Sequence, residues 1–137
     1  MAALAALLLL AGTGLEGGIC GLVTDSEIVN IMGRPPTIRT GAEVYGDRYC
    51  TWTFSMKPLE AVRLALAPAG QYEVDRTTEN VPVAGLGEDA YWVTFPNREG
   101  LHVKTGAYRL FVGVDSESRD IKAAATSVAR VALDRLP

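Results

Sequence analysis

Apolar residues near position 30 recur with the period of an α-helix. A helix over residues 25–32 places three of them on one face. The residues of this face are Ile28, Ile31 and Met32. Thr24 and Glu27 have the spacing of a capping box, in which each side chain accepts from the backbone N–H of the other. Gly33 follows where a left-handed residue ends a helix, so the pattern predicts a short, well-defined first helix.

The middle of the chain instead alternates apolar and polar residues with a period of two, which is typical of half-buried β-strands. The predicted strand segments are residues 50–54, 62–66, 91–95, 101–104 and 108–114, of which 91–95 is rich in β-forming residues rather than alternating. Turn residues at 97–100 and the short Thr105-Gly106 connection join the last three segments. These three strands are therefore predicted to form an antiparallel meander.

After Ser116 the period changes from 2 to 3.6, which predicts an amphipathic helix over residues 117–135. Its apolar stripe consists of Ile121, Ala124, Ala125, Val128, Val131 and Ala132. Small residues along this stripe allow the helix to lie close to a sheet. The predicted fold class is α+β, an antiparallel meander covered by the short first helix and the C-terminal helix.

The chain opens with an apolar run, Ala2 to Leu10, followed by small residues. This run is too short to span a bilayer but matches the apolar region and cleavage zone of a secretory signal. Residues 1–18 are therefore predicted to be a leader, and residues 19–137 a single domain. The alternative is a buried N-terminal helix, although a helix apolar on every side needs a larger core than one small domain provides.

The two cysteines, Cys20 and Cys50, follow this leader. In an oxidising, extracytoplasmic compartment an even number of cysteines indicates a disulfide. Their spacing is unlike the C-x-x-C of a redox-active pair, so a structural bond is expected. A lipid on Cys20 is the alternative, but Ile19 stands where lipid attachment requires a small residue.

Composition excludes several classes of function. The 137 residues carry a net charge of −3 and no cluster of Lys and Arg, which argues against a nucleic-acid-binding surface. No further apolar stretch after the leader is long enough to cross a membrane. Gly12 to Gly17 has the G-x-G-x-x-G spacing, but it lacks the β-branched strand, the helix and the acidic residue that dinucleotide binding requires. No cofactor is expected.

Four segments occur in an order that resembles a family of small secreted lipoproteins. The segments are residues 20–33, Cys50-Thr51-Trp52, Val83 to Trp92, and Leu101 to Gly106, closed by an alanine-rich helix. This family is common in actinobacteria, has no known function and is expected to have a PsbP-like fold. The resemblance implies a disulfide between Cys20 and Cys50. The polar segment 71–81, an expected exposed loop, is shorter than the helix usual in the family.

Catalytic constellations are weak in this sequence. His102 is the only histidine, so a histidine-based metal cluster is excluded. Ser55, Ser116 and Ser118 lie at turns or a helix start, where capping explains them, and no G-x-S-x-G motif accompanies them. The predicted function is therefore non-enzymatic.

A ligand surface is the remaining prediction. One ring of the adjacent pair Tyr91 and Trp92 is expected to face outward, and Trp92 is the candidate. Arg34, Arg39 and Arg48 are candidates for contact with an anionic partner. The sequence thus indicates a secreted or envelope-associated binding or accessory module for an unknown envelope protein or small ligand. The alternative is a small extracytoplasmic hydrolase whose site is not recognisable.

Overall fold

The computed structural model describes residues 18–72, 80–94 and 99–136 of the chain. The predicted leader therefore lies outside the described residues except for Gly18, as does most of the predicted loop at 71–81. The described part contains two α-helices, seven strands and two short 3₁₀ helices, Ile19–Leu22 and Ala69–Gln71. The α-helices and strands are labelled here. They are, in chain order, α1 (Asp25–Met32), β1 (Ile38–Val44), β2 (Asp47–Met56), β3 (Leu59–Pro68), β4 (Val81–Pro82), β5 (Asp89–Val93), β6 (Gly100–Thr105), β7 (Tyr108–Asp115) and α2 (Ile121–Arg135).

All seven strands belong to one antiparallel sheet with the order β1-β2-β3-β7-β6-β5-β4. The predicted meander is confirmed, because β5, β6 and β7 follow one another in the chain and lie side by side in the sheet as antiparallel neighbours. Period-two alternation directs one set of side chains toward the helices. Across the central strands this row contains Cys50, Leu64, Val112 and Leu101, all at most 1% exposed.

Helix α1 begins and ends as its sequence predicts. The Thr24 hydroxyl accepts from the Glu27 N–H at 3.2 Å, and Glu27 Oε1 accepts from the Thr24 N–H at 2.9 Å. Gly33 closes the helix at φ 81°, a left-handed conformation that glycine adopts without steric cost. Ile28 and Met32 are fully buried, so this helix contributes one apolar face to the core.

Helix α2 begins four residues later than predicted, at Ile121. The reason is its N-cap, since the Asp120 carboxylate accepts from the Ala123 N–H at 3.1 Å. Five of its residues are buried, namely Ala124, Ala125, Val128, Ala129 and Ala132. Small side chains let α2 lie close to β7 and β6, which it contacts directly. The α+β class with a C-terminal helix on an antiparallel sheet is thus confirmed.

A disulfide joins Cys20 to Cys50, as predicted, with the two Cα atoms 5.2 Å apart. It connects the segment that leads into α1 to the second strand of the sheet. Cys50 is fully buried in the main core, which unites residues of both helices and the sheet.

Strands β1 and β4 were not predicted. Every residue of β1 is exposed, and a strand without a buried row carries no clear period-two signal. Strand β4 has only two residues. Within the described ranges, no helix combines the length and apolar character needed to cross a membrane.

Candidate functional site

A polar groove lies where the end of α1, the β2–β3 turn and the loop before α2 meet. Its volume is about 440 Å³. The residues that line it are Met32, Gly33, Arg34, Ser55, Pro58, Leu59, Glu60, Glu117, Ser118 and Arg119. Two guanidinium groups, two hydroxyls and two carboxylates therefore meet in one concave region.

The carboxylate of Glu60 organises the floor of this groove. Glu60 is only 8% exposed, and a buried carboxylate requires charged or hydrogen-bonding partners. Its Oε1 accepts from Arg34 Nε at 2.8 Å, and its Oε2 accepts from the Ser116 hydroxyl at 3.0 Å. Both oxygens are thus satisfied by residues from different parts of the chain.

Arg34 is held in position by two different neighbours. Its Nη2 lies 2.6 Å from Glu60 Oε1, and its Cζ lies 5.8 Å from the ring centroid of Phe54. Aromatic faces attract guanidinium groups, and a carboxylate fixes their orientation. About half of the Arg34 side chain remains exposed, so one side of this ordered cation faces the groove.

The loop between β7 and α2 positions the second arginine. The Ser116 hydroxyl accepts from the backbone N–H groups of Ser118 and Arg119, at 3.3 and 3.2 Å. This confirms the prediction that Ser116 serves as a backbone cap. The loop directs the Arg119 guanidinium against Gly33, where an added Cβ would lie 2.1 Å from Nη2. Gly33 therefore both ends α1 and makes room for Arg119.

Arg119 differs from Arg34 in its electrostatic surroundings. Within the described part of the chain, no ion pair involves Arg119. A second depression of about 730 Å³ continues from Ser118 and Arg119 between the two helices, where Asn30, Asp120 and Ser127 line it. Arg119 thus stands at the junction of two concave regions, without an ion pair to any residue that the structure describes.

The structure separates the three arginines that were predicted to face an anionic partner. Arg34 lies in the groove. Arg39 lies on β1 and pairs with Asp25 at 3.0 Å, at the other end of α1. Arg48 lies on β2 beside a distinct cavity of about 150 Å³. A common surface of these three residues is therefore not formed.

The prediction that one ring of the adjacent aromatic pair faces outward is wrong. Trp92 is 3% exposed and belongs to the main core on the helix side of the sheet. Tyr91, on the other side, is 1% exposed because the ring of Tyr72 packs against it, with 5.1 Å between centroids. Period-two alternation placed the rings on opposite faces correctly, but it does not show what covers each face.

His102 lies on the same side of the sheet as Tyr91. The two rings are stacked at 5.0 Å, and the Phe111 ring meets His102 edge-on at 5.1 Å. Burial lowers the pKa of His102 from 6.5 to about 4, so the imidazole is neutral near pH 7. Among the described residues, Nδ1 has no hydrogen-bond partner, and aromatic rings rather than a serine and a carboxylate surround the histidine.

Two residues that shape the groove were missed in the sequence. Glu60 belongs to a strand whose neighbours are apolar, and only the fold shows that its carboxylate is buried beside Arg34. Arg119 carries no motif, and its role follows from contact with Gly33, distant in sequence. In the described ranges, no group of three His, Cys, Asp or Glu residues is arranged to hold a metal ion.

Comparison with known proteins returned no relative, since no family model, curated protein or solved structure matches the chain.

Proposed function

We propose that the protein is an extracytoplasmic, non-enzymatic binding module that holds a small polar ligand with an anionic group. The observation that carries this proposal is the pair of guanidinium groups in one groove. Arg34 is ordered by Glu60 and Phe54, whereas Arg119 lines the groove and forms no ion pair with a described residue. A carboxylate or phosphate is the chemical group that planar guanidinium donors recognise best.

The two arginines have different roles in this proposal. The charge of Arg34 is largely balanced by Glu60, so Arg34 supplies donors in a fixed orientation. Arg119 supplies a guanidinium that forms no ion pair with a described residue, so its charge and donors are available to the anionic group. The hydroxyls of Ser55 and Ser118 add donors and acceptors for the rest of the ligand.

An extracytoplasmic location is part of the same proposal. It is supported by the disulfide, because such bonds persist in oxidising compartments and are rare in the cytosol. The predicted leader agrees with this location. Recovery of exported protein that starts between Leu15 and Cys20 supports it, and intact protein that starts at Met1 in the cytoplasm contradicts it.

Membership in the secreted lipoprotein family with a PsbP-like fold is a further proposal. Its support is the Cys20–Cys50 bond and the turn before β5, where Gly85 and Gly87 adopt φ values of 82° and 55°. An added Cβ at Gly87 would lie 2.5 Å from the Lys104 carbonyl oxygen, so this turn requires glycine.

A thermal-shift panel tests the binding function. The full chain is heated with dicarboxylates, amino acids and phosphate monoesters, because a ligand that binds the folded state raises the melting temperature by mass action. We expect a shift for at least one anionic compound, its loss in Arg119→Gln and its retention in the control Arg130→Gln. Arg130 is an exposed arginine of α2 that does not line the groove.

A shift that both variants retain, or no shift with any anionic compound, contradicts the proposed site. Mass spectrometry of each compound after incubation separates binding from catalysis. Chemical conversion of the compound that binds favours the hydrolase alternative over a binding module.

A further inference from the structure

The two edges of the sheet differ in how they are protected. One edge is β4, two residues that include Pro82, and a short strand with proline is a common protection against pairing. The other edge is β1, seven residues without proline or lysine. All seven are exposed, including Ile38 at 60% and Val44 at 49%. One side of β1 pairs with β2, and on its other side the backbone N–H and C=O groups have no partner among the described residues.

The sequence of β1, Ile-Arg-Thr-Gly-Ala-Glu-Val, is complementary to itself in the antiparallel direction. When two copies are centred on Gly41, the apolar end residues face each other and the two charged residues face opposite charges. Ile38 faces Val44, Thr40 faces Ala42, and Arg39 faces Glu43. Opposite charges directly across an antiparallel pair stabilise it, whereas a parallel pair would place each arginine beside its own copy.

Period-two geometry places Arg39, Gly41 and Glu43 on the same face of the sheet. Two observations show that this is the helix side. Arg39 contacts Asp25 at the start of α1, and a Cβ added at Gly41 would lie 3.3 Å from Cys20 Sγ. The Asp25 contact involves half-exposed side chains, and a guanidinium has five donors, so Arg39 can face a second carboxylate as well.

We infer that β1 pairs with β1 of a second copy of this chain, forming a two-fold symmetric dimer with one continuous sheet. A two-fold axis at Gly41 makes the interface self-complementary, as closed dimers require. Tyr45, fully exposed in the turn that ends β1, then lies near Thr37 of the second copy. This inference is independent of the proposed ligand groove, which lies at the opposite end of α1.

Charge exchange tests the pairing and its direction. Sedimentation equilibrium of the full chain, with a concentration series that reaches the millimolar range, is expected to show a monomer–dimer equilibrium. Arg39→Glu and Glu43→Arg each replace two attractive pairs with two repulsive ones. Each variant is expected to raise the dimer dissociation constant by about tenfold or more.

A mixture of the two variants restores both charge pairs, so heterodimers form at about the wild-type concentration. The double variant Arg39→Glu/Glu43→Arg likewise recovers homodimers. Glu43→Arg leaves the Arg39–Asp25 contact in place, so it remains informative where Arg39→Glu disturbs α1. A monomeric wild-type chain throughout the series, or association unaffected by either single variant, overturns the inference. Failure of the mixture to associate overturns it as well.

Discussion

The two ends of the helix pair are built differently. At one end, the C-terminus of α2 meets the N-terminus of α1, and Arg135 donates to the Leu22 carbonyl at 2.9 Å and to Glu27 Oε2 at 2.9 Å. At the other end, Arg119 lies against Gly33 with no ion pair among the described residues. We call these the closed end and the open end.

The difference separates stability from binding. At the closed end, Arg135 and the backbone N–H of Thr24 lower the pKa of Glu27 from 4.5 to about 2, so its charge is strongly favoured in the fold. The capping box of Thr24 and Glu27 and the contacts of Arg135 at the end of α2 thus stabilise the same place in the fold. At the open end, the guanidinium of Arg119 remains available to a ligand, because no carboxylate of the described residues pairs with it.

The largest expected effect concerns the disulfide that ties the segment before the closed end to the sheet. Loss of the bond in Cys20→Ala/Cys50→Ala frees a loop with a sequence separation of 30 residues. The chain-entropy model assigns such a loop about 3–4 kcal/mol. We expect the melting temperature to fall by more than about 10 °C, as followed by circular dichroism. A fall of only one or two degrees contradicts this role.

The next effect is a pH dependence that arises away from both ends, at His102. Its folded pKa of about 4 lies below the unfolded value of 6.5, so the unfolded chain binds more protons between these values. With respect to His102, the free energy of unfolding therefore has its full value above about pH 6.5. It falls by about 3 kcal/mol as the pH drops to 4. Denaturant titrations of wild type and His102→Phe at several pH values measure this fall in the free energy of unfolding. The same pH dependence in the variant as in wild type would contradict the assignment to His102.

In the His102→Phe background, the contribution of Glu27 becomes visible at lower pH. The pKa of Glu27 is lowered in the fold, so its stabilising effect is present above about pH 4.5 and is lost as the pH falls toward 2. Arg135→Gln is expected to reduce that acid-dependent loss. An identical acid dependence in both proteins argues against the ion pair as its cause.

A smaller effect is expected for the cap of the closed end. Thr24→Ala removes the side-chain acceptor of the Glu27 N–H, and such caps contribute about 1 kcal/mol. Arg119→Gln at the open end is expected to change stability by less than about 0.5 kcal/mol, since it removes no ion pair between residues that the structure describes. Urea denaturation of both variants measures the contrast, and equal destabilisation would remove the distinction between the two ends.

The start and end of α1 were predictable from sequence, and the long-range side-chain contacts at the two ends of the helix pair were not. The capping box of Thr24 and Glu27 and the stop at Gly33 are local signals, since each involves residues close together in the chain, whereas Arg135 reaches Glu27 across 108 positions. The groove depends on Glu60, Ser116 and Arg119, which meet only after the sheet has formed. Of the residues that line the groove, only Arg34 was predicted to contact a ligand, and that prediction rested on its charge.

Burial was harder to predict than alternation. The pattern placed Tyr91 and Trp92 on opposite faces of a strand, which is correct, but coverage by Tyr72 comes from a distant part of the chain. The fully exposed β1 is the converse case, because it has no buried row from which a periodic pattern arises. The local period therefore predicts on which face of the sheet a side chain lies, whereas its exposure to solvent depends on the assembled fold.

The measurement that tests the account most directly is a backbone-amide NMR titration with succinate and, separately, inorganic phosphate. We expect at least one of these probes to shift the amides of residues 32–34, 59–60 and 117–119 in a saturable manner. The shifts should disappear in Arg119→Gln and persist in Arg130→Gln, while the amides of Thr24 and Arg135 remain unchanged. Saturable shifts centred on the closed end, or none with either probe, would contradict the assignment of binding to the open end.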